Sequence, residues 1–562
     1  MNRLYLLPFA LLTGCAAATP PADLVFKNGV VYTADDQTPK AEAVAIRGPD
    51  IVFVGSNAEV AKFVGSTTRV EDLAGATVLP GLADAHYHLS GVGEREMVLN
   101  LEGTGTKALF LAKVAERVAT TKAGDWVTGR GWIETFWVPQ EFPSRQDLDR
   151  IAPNNPVVLV RADGHSLVAN AKALALAGIT TATPAPPGGA LNKDAQGELT
   201  GMLIDGAMGL LYRVVPPPTS ADQDSAYVLG ARRSVGLGWT QVHDAGVPWA
   251  DVARIRRLYG QGLIKLRTYQ AIGAPGADAD SLLAHGASVD EFGGRYTLRT
   301  LKVVVDGALG SRGALLLDPY SDEAKTHGLL TTDTAAFRTM MVRALERGIQ
   351  VETHAIGDAG NRLVLDMYAA AFKAVPKGEK RLVKEPRWRD EHSQIIHLAD
   401  IPRFKELGVI PSMQPSHAIG DLYFAPARLG AKRLQGAYAW KTFIDMGVPV
   451  AGGSDAPVER GEPMIEFYAA VARRDIRGKA GPDSLWHPEQ KVSRAEALKM
   501  FTKYAAFAAF EENKRGSITV GKWADLTILD RDIMTIPEAD ILTTTNVMTV
   551  IGGEIVYTKA GR

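Results

Sequence analysis

Val78-Leu79-Pro80-Gly81-Leu82-Ala83-Asp84-Ala85-His86-Tyr87-His88 is an apolar run that ends in two histidines two residues apart. Such a run reads as a buried strand, and residues two apart on a strand point the same way, so both imidazoles can converge on one ion. Other strand-like stretches end alike: His354 closes Ile349-Gln350-Val351-Glu352-Thr353, His392 closes Arg389-Asp390-Glu391, and Asp455 follows Val450-Ala451-Gly452-Gly453-Ser454. In a (β/α)8 barrel the C-terminal ends of all strands surround one mouth, so groups hundreds of residues apart become neighbours. Any one of these histidines alone reads as a hydrogen-bonded core or loop residue. Four of the eleven histidines and an aspartate, all at expected strand ends in the order a barrel would require, point instead to a shared metal site.

Working outward, apolar runs alternate with amphipathic helical segments, the pattern of parallel βα units. The candidate barrel strands are 77–82, 239–243, 264–271, 298–305, 350–354, 389–392, 409–413 and 448–453, while a ninth run, 157–161, falls in an insertion. Short β-rich pieces at 24–33, 43–47 and 51–55 precede the barrel, and 516–520, 525–530 and 547–557 follow it. Neither end has enough strands for a sandwich, so residues 22–80 and 513–562 are expected to pair into one composite β-sandwich bracketing a barrel over 81–512. The stretch 89–218 is long for one connection and reads as an insertion with its own core, placed to cover the barrel mouth. Trp132, Phe136 and Trp137 are assigned to that core, with an apolar wall above the pocket as their other use.

The chain has 562 residues, 46% hydrophobic and 22% charged, which allows one large domain and a smaller one. Its 62 basic and 63 acidic residues nearly cancel, with no basic block suited to a phosphate backbone, so nucleic acid is not an expected partner.

At the N-terminus, Arg3 precedes an apolar run from Leu4 to Leu12, too short to span a bilayer and typical of an export signal. Leu12-Thr13-Gly14-Cys15 resembles the bacterial lipobox, and Cys15 is the only cysteine. Residues 1–21 are therefore read as a lipoprotein-type signal and tether, lipidated at Cys15, with the protein exported to the periplasm and anchored at the outer membrane. An ordinary signal cleaved at Ala16 to Ala18 is the alternative.

The motifs Val78 to His88, Glu352-Thr353-His354-Ala355-Ile356-Gly357-Asp358, Asp390-Glu391-His392-Ser393-Gln394 and Gly453-Ser454-Asp455-Ala456-Pro457 resemble the signature blocks of the amidohydrolase superfamily. Gly129-Arg130-Gly131-Trp132, Asp163-Gly164-His165-Ser166 and Lys302-Val303-Val304-Val305-Asp306-Gly307-Ala308 are similar to the branch containing N-substituted formamide deformylase. The likeness runs from about residue 23 to the C-terminus. It implies a (β/α)8 barrel with a composite β-sandwich, and a metal-dependent hydrolase cleaving a carbon–nitrogen bond through a metal-activated hydroxide.

The resemblance also implies roles. His86, His88 and Asp455 would hold one divalent ion and His354 and His392 another. Lys302, carbamylated by carbon dioxide, would bridge them; read without the resemblance, it is a strand-edge lysine reaching solvent. Nitrogen and oxygen ligands suit zinc, with iron, cobalt, nickel or manganese open, as is a single ion. Asp455 would be the catalytic proton acceptor, and His165 and His243 substrate-facing groups beside Gln414 and His417. His285, His327, His397 and His487 are given no chemistry. The expected partner is a small-molecule amide-type substrate, and a homo-oligomer stays open. Cyclic amides, N-acyl amino acids, dipeptides or a deamination substrate would fit the same site, and a non-catalytic metal-dependent binding lipoprotein is the reading from another class.

Overall fold

A computed structural model describes residues 19–134, 137–162, 164, 166–186, 189–476 and 486–561. Cys15, Phe136 and His165 lie outside the described residues. No described helix is long and apolar enough to cross a membrane.

Eight parallel strands form the central sheet in chain order: β1 Leu82–Tyr87, β2 Trp239–Val247, β3 Arg267–Gly273, β4 Tyr296–Val304, β5 Gln350–Ala355, β6 Arg389–His392, β7 Ile410–Met413 and β8 Ala451–Gly452. Last meets first just beyond β8, where Tyr87 pairs with Ala456 and the Asp455 amide donates to the His86 carbonyl at 2.8 Å. The period of two decides what fills the interior. On β4, Leu301 and Val303 join the apolar layer beneath the helices, while Thr300 and Lys302 face the polar interior. Asp84 and His86 do the same on β1, and Arg389 and Glu391 on β6.

The expected strand 77–82 is two strands. Thr77–Pro80 pairs with Leu526–Leu529 and Val30–Tyr32 in a separate sheet, and only from Leu82 does the chain enter the barrel. Gly81 is the joint: a Cβ there would lie 2.4 Å from Thr240 Oγ1 and 2.8 Å from Asp525 Cβ. An unbroken apolar run cannot announce such a change of partner, because both sheets bury it.

The six strands of that sheet and a four-stranded sheet built from Leu24–Lys27, Ala43–Arg47, Asp50–Gly55 and Arg69–Asp72 share a core of Phe26, Val44, Ile46, Val78, Ile528 and Val550. Both chain ends thus contribute to one sandwich. Residues 516–520, expected as a strand, form none, although the Ile518 amide donates to the Thr33 carbonyl at 2.8 Å.

A further six-stranded sheet spans Leu99 to Asp205. The helix Leu89–Met97, inside the range expected for the insertion, belongs to the barrel wall instead. It touches the helix Ser220–Leu237 so closely that a Cβ on Gly93 would fall 1.7 Å from the Ala226 carbonyl oxygen. Trp132 and Trp137 pack with Phe110 in the core of the inserted sheet and do not wall the pocket.

Barrel and sandwich are tied by a buried ion pair, with Arg267 donating to both carboxylate oxygens of Asp525 at 2.8 and 2.9 Å. Burial alone would raise the Asp525 pKa, but Arg267, with help from Arg515 and the Gly552 amide, outweighs it and holds the carboxyl below its ordinary value. Removing one partner of such a pair leaves an uncompensated charge, so Asp525→Asn is expected to cost about 3 kcal/mol in denaturant unfolding. The carboxyl is depressed in the fold, so its contribution is full above about pH 4 and is lost as pH falls through the folded value.

Candidate metal centre

Four histidines, one aspartate and one lysine meet at the C-terminal ends of the barrel strands. Ligand atoms of His86, His392 and Asp455 all lie within 4.8 Å of one another. His86 Nε2 is 3.6 Å and His88 Nε2 3.1 Å from Asp455 Oδ1. The His392 ring lies 4.8 Å from that of His86 and 4.4 Å from that of His354. The Lys302 amine sits 3.0 Å from His86 Nε2. The tight group of His86, His392 and Asp455 crosses the expected division of ligands between two ions.

Three of the four imidazoles are oriented from behind, as a metal-binding histidine requires. His86 Nδ1 bonds Glu391, His88 Nδ1 bonds the Ala245 carbonyl at 2.9 Å, and His392 Nδ1 bonds Gln414 Oε1 at 2.8 Å. All three outer partners are acceptors, so Nδ1 carries the proton and the Nε2 lone pair is left for the centre. Burial keeps the rings of His86 and His392 neutral, their pKa values well below the ordinary one, and pushes His354 down to about 3. His417 Nε2 is buried with no hydrogen-bond partner among the described residues and faces Asp455, whereas His354 Nε2 lies 3.4 Å from Asp306 Oδ1. Convergent lone pairs, an unpartnered ring nitrogen at His417 and an all-nitrogen-and-oxygen donor set fit one or two divalent cations.

The backbone is strained where it delivers these ligands. By alternation His392 would point away from the interior that Arg389 and Glu391 enter, but φ of 74° at His392 and 41° at Ser393 turns its ring inward. Asp455 has φ of 58°. Non-glycine residues in this region cost about 1–3 kcal/mol each and persist only where their surroundings fix them. Asp84 does part of that fixing, accepting from the amides of His86 at 3.1 Å and Ser454 at 2.9 Å and from the Ser454 hydroxyl at 2.6 Å. Burial pushes its pKa up to about 7.

Lys302 is 6% exposed, and burial lowers its pKa, which favours the neutral amine over a cation reaching solvent. His243, expected to face substrate, does not. It lies one layer below the ligands with Nδ1 accepting from Arg389 at 2.9 Å and Nε2 against Gln241 Oε1 at 3.3 Å, so both nitrogens are spent inside the barrel. His417, by contrast, comes within 3.7 Å of Asp455 Oδ2.

Sequence reasoning passed over the supports. Arg389 lies beneath the centre, 2.7 Å from Glu391 and 3.4 Å from Glu352. Asp306 accepts from the amides of Leu315, Ile356 and Gly357 at 2.8 to 3.0 Å, pinning the turn that follows His354. Both occupy quoted motifs: Arg389 opens a buried strand of charged and imidazole side chains, and Asp306 follows the end of β4, so in each case the signal is a charge where burial demands a partner.

The chain matches the Amidohydrolase family over residues 69–557. It is 32% identical over 548 residues to YtcJ of Bacillus subtilis (strain 168), a protein assigned as an amidohydrolase, covering 95% of this chain and 99% of that one. It is 29% identical over 556 residues to N-substituted formamide deformylase of Arthrobacter pascens, covering 97% and 100%. The crystal structure of an uncharacterized metal-dependent hydrolase from Pyrococcus furiosus superposes with a TM-score of 0.71 at 25% identity, over 91% of this chain and 100% of that one. Fold and site thus define a metal-dependent hydrolase acting on carbon–nitrogen bonds. The chain belongs to the amidohydrolase family.

Proposed function

We propose that the chain hydrolyses a small amide-type substrate with two divalent ions, zinc being the metal the donor set suits best, held by His86, His88, His354, His392 and Asp455. Lys302, as the carbamate formed when its neutral amine adds carbon dioxide and releases a proton, would bridge them. Such ions supply Lewis acidity and water activated at neutral pH. The residues do the rest. Asp455 turns Oδ1 toward His86 and His88 and Oδ2 toward His417, so one oxygen can serve as a ligand while the other accepts a proton and passes it to the leaving nitrogen. The observation carrying this reading is the convergence of His86, His392 and Asp455 ligand atoms within 4.8 Å. The apolar N-terminal run and Cys15 support export and lipid anchoring at the outer membrane.

The test is a panel of N-formyl, N-acetyl, dipeptide and cyclic ureide substrates, assayed on protein of measured metal content. Hydrolysis of at least one member is expected, lost on chelation and restored by zinc. Fully loaded protein inert toward the whole panel would overturn the reading.

A further inference from the structure

Two adjoining cavities, about 640 and 390 Å³, lie between the inserted sheet and the barrel mouth, and Arg95, Arg130 and Pro457 line both. The larger reaches Ser416 and Val458, which flank the metal centre: Ser416 precedes His417, and the Val458 amide donates to the Asp455 carbonyl at 2.9 Å. A substrate held at the centre would have room to extend past Ser416 and Val458 toward the inserted sheet.

What it meets there is set by strand alternation. On the strand Val127–Trp132, Thr128 and Arg130 share one face, and their register partners on the neighbouring strand are Val158 and Val160, all four lining the smaller cavity. A register shift between Arg130 and Trp132, with Gly131 at φ of 99°, ends this alternation, as a bulge does where it re-aims a side chain. The glycine is required: a Cβ would lie 2.5 Å from Glu102 Cγ.

The neighbouring arginines are already committed. Arg95 donates to the carbonyls of Glu459 and Arg460 at 3.0 and 2.9 Å, and Arg460 and Arg233 pair with Glu462 at 2.7 and 3.8 Å. Arg130 forms no ion pair with the described residues, and its buried Nε has no hydrogen-bond partner among them. Glu94 and Glu102 also line these cavities without pairing to it. A guanidinium with no ion pair among the described residues and with glutamates nearby suits one monoanionic carboxylate better than a dianionic phosphate, and its planar fork matches a carboxylate with two bonds. Val98, Val158, Val160, Tyr212 and Val215 give the inner cavity an apolar wall beside it.

We infer that Arg130 anchors the free carboxylate of the substrate, so that the preferred substrates are N-acyl or N-formyl derivatives of apolar amino acids. This rests on the amide hydrolysis proposed above. Arg130 touches substrate as a binding and specificity residue and takes no part in bond cleavage.

The experiment measures calorimetric binding of N-acetylphenylalanine and of its neutral carboxamide to the full, metal-loaded chain carrying Asp455→Asn, so that turnover does not intervene. The carboxylate probe is expected to bind at least about tenfold tighter, the scale of a charge-assisted contact. Adding Arg130→Met should erase that preference and Arg130→Lys retain part of it, with thermal midpoints showing both variants folded. Equal binding of the two probes, no binding of either, or a preference surviving Arg130→Met would overturn the inference. A chain that prefers the carboxylate probe, while the wild type hydrolyses no amide in the panel, would sink the proposed activity and leave the anchor standing.

Discussion

Asp455→Asn is expected to keep its metal and lose about 10³-fold in kcat, within the range a positioned acid–base group contributes. The reason lies in how the two carboxylate oxygens are divided. Oδ1 is 3.1 Å from His88 Nε2 and 3.6 Å from His86 Nε2, on the ligand side, whereas Oδ2 faces His417 at 3.7 Å. Asparagine keeps an oxygen for the ligand side and replaces the other with an amide nitrogen that cannot accept a proton. Burial by itself would raise the Asp455 pKa, but the hydrogen bond with His88 and the nearby imidazoles of His86 and His392 together outweigh it and hold the carboxyl well below its ordinary range, so it is ionised and able to accept a proton. The measurement pairs elemental analysis with steady-state kinetics. Metal content near wild type with kcat reduced less than tenfold would remove Asp455 from proton transfer.

Arg389→Ala is expected to be the most damaging substitution for stability, at about 3–5 kcal/mol or more. Its guanidinium is fully buried, lies against Glu391 and Glu352, and donates to Ser412 Oγ at 3.1 Å, to the Ala85 carbonyl and to His243. Without it two carboxylates remain in the barrel interior with no cation between them. Because Glu391 holds His86 Nδ1, the variant should also bind metal more weakly.

The pH dependence gives this prediction a second readout. Burial raises Glu352 from 4.5 to about 7 even with Arg389 present. A carboxyl raised in the folded state stabilises the fold most below its unfolded pKa and loses that contribution as pH rises through the folded one. Arg389→Ala pushes Glu352 higher still, so the variant should regain stability as pH falls from 8 toward 5. Denaturant melts across that range decide it. A loss that does not shrink on acidification would mean that the carboxylates are not its cause.

Local sequence pattern was enough for the kind of fold and for naming side chains that gather at the barrel mouth. Periodicity depends only on neighbouring residues, so alternating βα runs report a barrel, and polar groups closing apolar strands report which side chains reach its mouth. His86, His354, His392 and Asp455 could be named on that ground. Several features were decided only in three dimensions. The chain changes sheets at Gly81 because Thr240 and Asp525 lie against it, although one apolar run covers both sides of the joint. His392 enters the centre through a left-handed backbone, which strand alternation does not encode. His243 turns from substrate to support because Arg389, 146 residues away, takes its Nδ1. Which atoms a buried charge meets is set by long-range packing, and buried charges must find partners there because water cannot reach them.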